Sequence, residues 1–329
     1  MTPRPVRNPP APGTPEWRRM ITASKAPAMI RDGLTGDYLG LGYTDAYSLY
    51  HDMAGTWTPE PPDEKLMARG HWMEASGREF WRWSNPGWRI SRKEVAYSDP
   101  DLPFPNLVTL DSRASRGRTR RIVEIKAPRK DEGVHDKWLV QVTLQMRLSG
   151  IHAADVVLMP QYGEERIIPV EYDEDLAEAI VADCAHFWGL LEAGTPPDAG
   201  GSEHAAQILA ALHPTPEREA DTVLDQDVMD DLLTAWDRLA EAQAAAQAAE
   251  NRVMQAMGDT GKATFDDRKV AGRIAGKFAK GRFPEPGILA KYMVPTEKLD
   301  TDALKADHPD LYAQAIGAPS FQFARKDWS

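Results

Sequence analysis

The sequence predicts an α/β protein: a mixed central sheet flanked by helices, followed by an extension made of one long helix and a small α+β tail. Three observations carry that reading. Runs of strand character alternate with runs of helical periodicity up to about residue 195. Two strand-like runs, residues 108–111 and 122–126, flank Gly117, where a tight turn would fall. From residue 224 to 257 apolar residues alternate spacings of four and three without a break, which is a heptad seam.

Taken in order, residues 1–16 are polar and Pro-rich and are expected as a disordered lead-in. Trp17, Arg18 and Arg19 then lead into a helix capped by Ser24, with Pro27 in its first turn and Gly33 as its stop. A helix N-terminus with a hydroxyl cap and nearby arginines is an anion site. Residues 64–84 form a second helix with Leu66, Gly70, Met73, Gly77, Phe80 and Trp81 on one stripe and Glu74 at its edge. Glycine inside a helix costs about 1 kcal/mol relative to alanine, so these two point to a close approach of the backbone to a neighbour. The hairpin follows, then an amphipathic helix over 138–150 in which Gln141, Leu144, Gln145 and Leu148 share helical spacing, which sets Gln141 beside the buried face. Strand runs at 154–161 and 166–172 precede a helix from 173 to 193 that Gly194 and Pro196 end.

Residues 196–222 read as a boundary, dividing a domain at 17–200 from a C-terminal region at 201–329. The long helix would span about 45 Å, and its mostly alanine seam calls for another helix at close range. After Gly258 and Gly261 the pattern gives a basic hairpin at 262–280, a short helix at 301–316 and a final strand at 320–325.

The chemistry concentrates in the hairpin. If it is symmetric about Gly117 and Arg118, Asp111 stands opposite Glu124, and alternation places Glu124 and Lys126 on one face with Val123 and Ile125 on the other. Like charges directly opposite destabilise a strand pair, so a positive charge is expected between them. A hard divalent cation such as Mg2+, completed by water and substrate phosphate, fits two carboxylates. The intervening arginines, Arg113, Arg116, Arg118, Arg120 and Arg121, suit phosphate oxygens. The combination points to phosphodiester hydrolysis. The alternative is an exposed amphipathic hairpin with no chemistry at all.

Bulk properties narrow the classes. At 329 residues with a formal charge of −11, the chain is not a general coat for polyanions, and nucleic acid would have to be met by local basic patches. A single cysteine, Cys184, excludes a disulfide framework, a cysteine zinc site and a four-cysteine iron–sulfur cluster. No apolar run reaches membrane-spanning length, and a cytoplasmic setting in a bacterial host, with no membrane partner, is expected.

Trp17 with residues 21–24, Gly70 with Glu74, the Asp111 strand, Glu124-Ile125-Lys126 and Gln141, in that order, resemble the lambda-exonuclease/YqaJ-like viral recombinase family of the PD-(D/E)xK nuclease superfamily. The stretch from Phe187 and Trp188 through Gly194 to Pro196 and Pro197 is similar to the segment that closes this nuclease domain. The resemblance implies a restriction-endonuclease-like core and a Mg2+-dependent exonuclease, with Mn2+ as a substitute and two ions. It would resect double-stranded DNA ends 5′ to 3′ for a single-strand annealing partner, as a homo-oligomeric ring. It also implies roles. Asp111, Glu124 and the Ile125 carbonyl would bind metal, Lys126 would orient or activate the attacking water, and Glu74 would hold metal-bound water. Gln141 would steady the site, while Ser24 with Arg18 or Arg19 would take the terminal phosphate. Ser112 where many members carry glycine, and Thr143 where many carry a second glutamine, depart from the pattern. The rival readings are a RecB-like endonuclease or defence-linked nuclease, and a non-catalytic DNA-binding protein on a nuclease fold.

Overall fold

In this computed structural model, residues 4–59, 63–131, 133–214, 221–258, 260–265, 268–272 and 306 are described. The chain divides into two units, Met1–Leu212 and His213–Ser329. In the first, β1 (Arg4–Val6), the single-turn α1 (Pro15–Arg18) and β2 (Ile21–Thr22) precede a 3-10 turn at Ala26–Met29. Then come α2 (Ala46–Ala54), α3 (Glu64–Ser84), β3 (Arg89–Ile90), β4 (Val95–Ser98), β5 (Asn106–Leu110), β6 (Ser112–Arg116) and β7 (Thr119–Lys126). The unit closes with α4 (Asp136–Ser149), β8 (Ala153–Leu158), β9 (Arg166–Glu171), α5 (Glu174–Ala193) and α6 (Glu203–Leu212).

The strands form two sheets. One has the order β1-β4-β5-β2, the other β3-β6-β7-β8-β9, and β7 and β8 run parallel while β6 and β9 are antiparallel to their neighbours. Both are flanked by helices, as the sequence predicts for a mixed α/β core. The five-stranded sheet is covered on one face by α3, where Trp81 packs with Ala114, Val123, Ile125, Val157 and Met159. On the other face Ile122, Ala154, Val156 and Leu158 meet α4 and α5 through Val142, Leu144, Ile180 and Phe187. Period-two alternation along β7 therefore feeds two cores at once.

Several local expectations change. The lead-in at residues 1–16 contains β1, which pairs with β4 as an edge strand, where Pro5 removes no essential ladder donor. Ser24 does not cap a helix running to Gly33. The chain makes one 3-10 turn whose N-cap is Lys25, with no side-chain cap. The boundary assigned to 196–222 includes α6, whose Ala205 and Ile208 bury against Tyr47 of α2. The helix at 64–84 has the bounds that its stripe gave, and Asp173 caps α5 by accepting from the Leu176 amide.

Gly77 is the close approach that the sequence called for. A Cβ there would sit 2.7 Å from Ile125 Cγ2, so α3 rests directly on β7 between Glu124 and Lys126. At Gly70 nothing lies within 4 Å, so only one of the two glycines has this role. Gly77→Ala should therefore lower Tm, because overpacking costs about 1–3 kcal/mol and outweighs a helix-propensity gain of about 1 kcal/mol. Gly70→Ala should collect only the gain. Thermal denaturation of the two variants checks this, and a stabilised Gly77→Ala would contradict the packing.

In the second unit α7 (Gln226–Met257) is one helix of 32 residues, and it precedes a hairpin of β10 (Lys262–Phe265) and β11 (Arg268–Gly272). Val253 and Ala256, at the end of the heptad seam, and Met257 beside them face Ala263, Phe265 and Val270 of that hairpin. The expected helix at 301–316 and strand at 320–325 lie outside the described residues, apart from Ala306. No helix among the described residues is long and apolar enough to cross a membrane.

Candidate active site

The site forms where the chain passes from one sheet to the other. β5 belongs to the four-stranded sheet and β6 to the five-stranded sheet, and Asp111 is the single residue between them. The β6–β7 ladder pairs Arg116 with Thr119 and Ser112 with Val123, which is the register of a hairpin turning at Gly117 and Arg118. Gly117 takes φ +62°, a conformation glycine adopts without strain. Continued one step, that register brings Asp111 level with Glu124. The Asp111 carboxylate accepts the Ile125 backbone N–H at 2.8 Å, which fixes it against β7.

Glu124 is 2 % exposed and fully engaged. Lys126 Nζ donates to its Oε1 at 2.7 Å and Gln141 Nε2 donates to the same oxygen at 2.6 Å. Gln145 Nε2 donates to Oε2 at 2.9 Å and to the Thr109 carbonyl at 3.0 Å. Lys126 Nζ also donates to Gln141 Oε1 at 2.8 Å, so lysine, glutamate and glutamine form a closed ring of contacts. Gln141 and Gln145 lie one turn apart on α4, on the face it turns to the sheet.

The electrostatics follow from crowding. Burial, and next the Glu124 charge, hold the Asp111 carboxyl well above the usual carboxylate range, against the opposing pull of Lys126 and the Ile125 amide. Burial alone would lower Lys126, but Glu124 and Asp111 more than offset it, so the ammonium is held above its ordinary value. Glu74 contributes to the field on Asp111, which places its charge at the same site, while its carboxylate also meets His71 at 3.5 Å and Arg78 at 3.9 Å.

These residues suit a divalent cation. Among the described residues no group of three His, Cys, Asp or Glu side chains could hold a metal ion by itself. Two carboxylates with the rest of the shell left to water and phosphate oxygens is the habit of Mg2+ rather than of a protein-caged ion. A third protein donor is at hand. The Lys126 carbonyl accepts from Met159 on the β8 side, so the Ile125 carbonyl points to the opposite edge of β7, where its N–H meets Asp111. The close pair of like charges, Glu124 buried and Asp111 half-buried, is the feature that a cation would relieve.

Ser24 follows β2, which runs parallel to β5 with Thr22 level with Leu107, so the chain beyond it heads for the Asp111 end of the sheet. Ser24 is exposed and its hydroxyl shares a 3.1 Å hydrogen bond with Thr22. Arg18 is bonded to Asp52 at 3.3 Å and Arg19 is exposed. No helix N-terminus joins them, contrary to expectation. Instead Lys25 is buried and donates to the carbonyls of Trp17, Arg18 and Met20, which pins the segment, and burial pulls its ammonium down to about 8.

The arginines separate by face. Arg113 and Arg120, opposite Ile122 and Ser115, lie on the face of Glu124 and Lys126, and Arg113 donates to the Tyr97 hydroxyl at 3.0 Å. Arg116 lies on the α3 face with its guanidinium 4.9 Å from the Trp88 ring centroid, so it is not part of the expected clamp. Arg121 shares that face and is paired with Asp155 at 2.5 Å. Arg118 sits in the turn.

Two site residues escaped the sequence reading. Gln145 carried a signal, its spacing of four from Gln141. Tyr43, which adds to the field on Lys126, accepts from Trp138 Nε1 at 3.2 Å and has Lys137 4.3 Å from its ring centroid. It lies in a loop whose placement is purely tertiary.

No model of a known protein family matches the chain, and no curated protein does. Over about half its length it is similar to solved structures. LHK-Exo in complex with dAMP is 19 % identical, with 54 % of this chain and 91 % of that chain covered and a TM-score of 0.43. An alkaline exonuclease, LHK-Exo, from Laribacter hongkongensis is 18 % identical, with 55 % and 94 % covered and a TM-score of 0.42. SSO0001 is 12 % identical, with 52 % and 76 % covered and a TM-score of 0.36.

Proposed function

We propose that this protein is a Mg2+-dependent DNA exonuclease that resects duplex ends 5′ to 3′. The observation that carries the reading is the meeting of Asp111, at the sheet-to-sheet crossing, with Glu124 of β7, and Lys126 on the same face as Glu124. Asp111, Glu124 and the Ile125 carbonyl would hold the metal, which when bound lowers the pKa of water and balances charge on the leaving oxygen. Gln141 and Gln145 fix both oxygens of Glu124, so the carboxylate is oriented before any ligand arrives. Lys126, anchored by Glu124 and Gln141, presents a positive charge where the water and the scissile phosphate would lie. Glu74, at the rim, would hold a water on the metal. The same reading extends to a homo-oligomeric ring on DNA that hands its single strand to an annealing partner, which light scattering and pull-down would test.

End-labelled duplexes incubated with Mg2+, with Mn2+ and with EDTA test the activity. Mononucleotide release with either metal and none with EDTA is expected. Metal-dependent cuts at internal positions of a closed circle would make the protein an endonuclease instead.

Ser24, Arg18 and Arg19 bear on polarity. With Ser24 at the Asp111 end of β2 and two guanidiniums in the segment that Lys25 pins, a 5′-terminal phosphate should be preferred over a 5′-hydroxyl by on the order of tenfold, since one charge-assisted contact contributes about 1.5 kcal/mol. Equal rates on 5′-phosphoryl and 5′-hydroxyl ends would remove these residues from end recognition.

A further inference from the structure

We infer that the sheet face carrying Glu124 and Lys126, covered at the buried Ile122, re-emerges beyond it as a cationic track for the phosphate backbone of duplex DNA, built from Arg89, Arg113 and Arg120. This deepens the nuclease reading and rests on it. The track follows from register. Arg89 of β3 pairs with Ser115, and Ser115 pairs with Arg120, so the three side chains share one face across three strands. The neighbouring rung identifies that face: Ile90 and Ala114 pair there and pack with Val123 and Trp81 under α3, so Arg89 and Arg120 must point the other way. Arg113 stands two residues from Ser115 on that same side.

The two faces treat their arginines differently. On the α3 side Arg121 is neutralised by Asp155 and Arg116 is stacked against Trp88. On the other side Arg89 and Arg120 are exposed, and neither side chain makes an ion pair or hydrogen bond to a described residue. In a chain of net charge −11 such a row is not a by-product of composition. At about 3.3 Å per residue Arg120 lies roughly 13 Å along β7 from Glu124, and Arg89 is two strands, about 10 Å, to its side. Roughly 13 Å is about four base-pair steps of a duplex. The track would grip DNA several pairs from the cleaved bond. Arg89, Arg113, Ser115 and Arg120 offer guanidinium and hydroxyl donors and no aromatic ring, which suits phosphate contacts rather than base stacking.

The test is fluorescence anisotropy of full-length protein on a labelled blunt duplex and on its single strand, with Ca2+ in place of Mg2+, across a salt series. For duplex, the paired variant Arg89→Ser/Arg120→Ser should lose affinity on the order of tenfold or more. Its log–log salt slope should fall by about 1.8, or about 0.9 for each phosphate that is no longer neutralised. The paired Arg→Lys variant should keep the slope, and Arg116→Ser should keep it too. A wild-type slope in Arg89→Ser/Arg120→Ser overturns the track, and an equal fall in Arg116→Ser overturns the division by face. An equal fall on single strands overturns the duplex as its ligand. A parallel Mg2+ cleavage assay on wild-type protein separates the two readings: a reduced slope without wild-type cleavage keeps the track and ends the nuclease.

Discussion

Asp111→Asn should abolish metal-dependent DNA degradation and at the same time raise the Tm of the metal-free protein. The loss should be on the order of 10³-fold, because a metal ligand supports several kcal/mol of transition-state stabilisation and about 1.4 kcal/mol is a factor of ten. The gain in stability comes from the same crowding. The Asp111 carboxyl is raised by burial and by Glu124, so the folded state binds its proton more tightly than the unfolded state does. Stability then falls as pH rises from the unfolded carboxylate pKa through the raised folded value, and neutral pH lies on the destabilised side. An uncharged amide removes that cost while keeping the oxygen that accepts the Ile125 N–H. Differential scanning calorimetry at pH 5 and 8 and a nuclease assay read both halves. An active Asp111→Asn, or one less stable than wild type without metal, would contradict the assignment.

Lys126→Met should reduce turnover by roughly 10²–10⁴-fold, the range for a group acting at a transferred proton or developing charge, with a smaller change in DNA affinity. Methionine keeps the length of the side chain and removes its charge. It leaves Glu124 with two amide donors and no cation, and Gln141 Oε1 without its donor. The metal concentration needed for half-maximal rate should then move less than the maximal rate. Single-turnover kinetics across Mg2+ concentrations separate the two. A variant restored to wild-type rate by metal alone would show that Lys126 serves only to neutralise Glu124.

Much of this site was legible because turn chemistry fixes register. Gly117 sets the hairpin, the hairpin sets Asp111 against Glu124, and alternation sets Lys126 beside Glu124 and Ile125 against α3. The same register already contained the division of the arginines, since Arg116 and Arg121 differ in parity from Arg113 and Arg120 once strand pairing is known. The break between the two sheets was not legible. Residues 108–111 read as one strand followed by an arginine-rich loop, and only the pairing of β5 with β4 and β2 and of β6 with β7 shows that the chain changes sheets at Asp111. Ser24 misled for a physical reason: serine favours N-caps and turns alike, and Pro27 fits either. Lys25 gave no signal, because a lysine spent on three backbone carbonyls looks in sequence like any exposed lysine. The edge strand β1 is hidden by a composition that reads as disorder.

The central claim is that Asp111 and Glu124 make one cation site. Titration calorimetry of Mn2+ into full-length protein without DNA tests it most directly. Saturable binding is expected in wild type, weakened at least about tenfold in Asp111→Asn and abolished in the paired Asp111→Asn/Glu124→Gln variant. Binding of equal strength in wild type and the paired variant, or no binding in wild type, would contradict it.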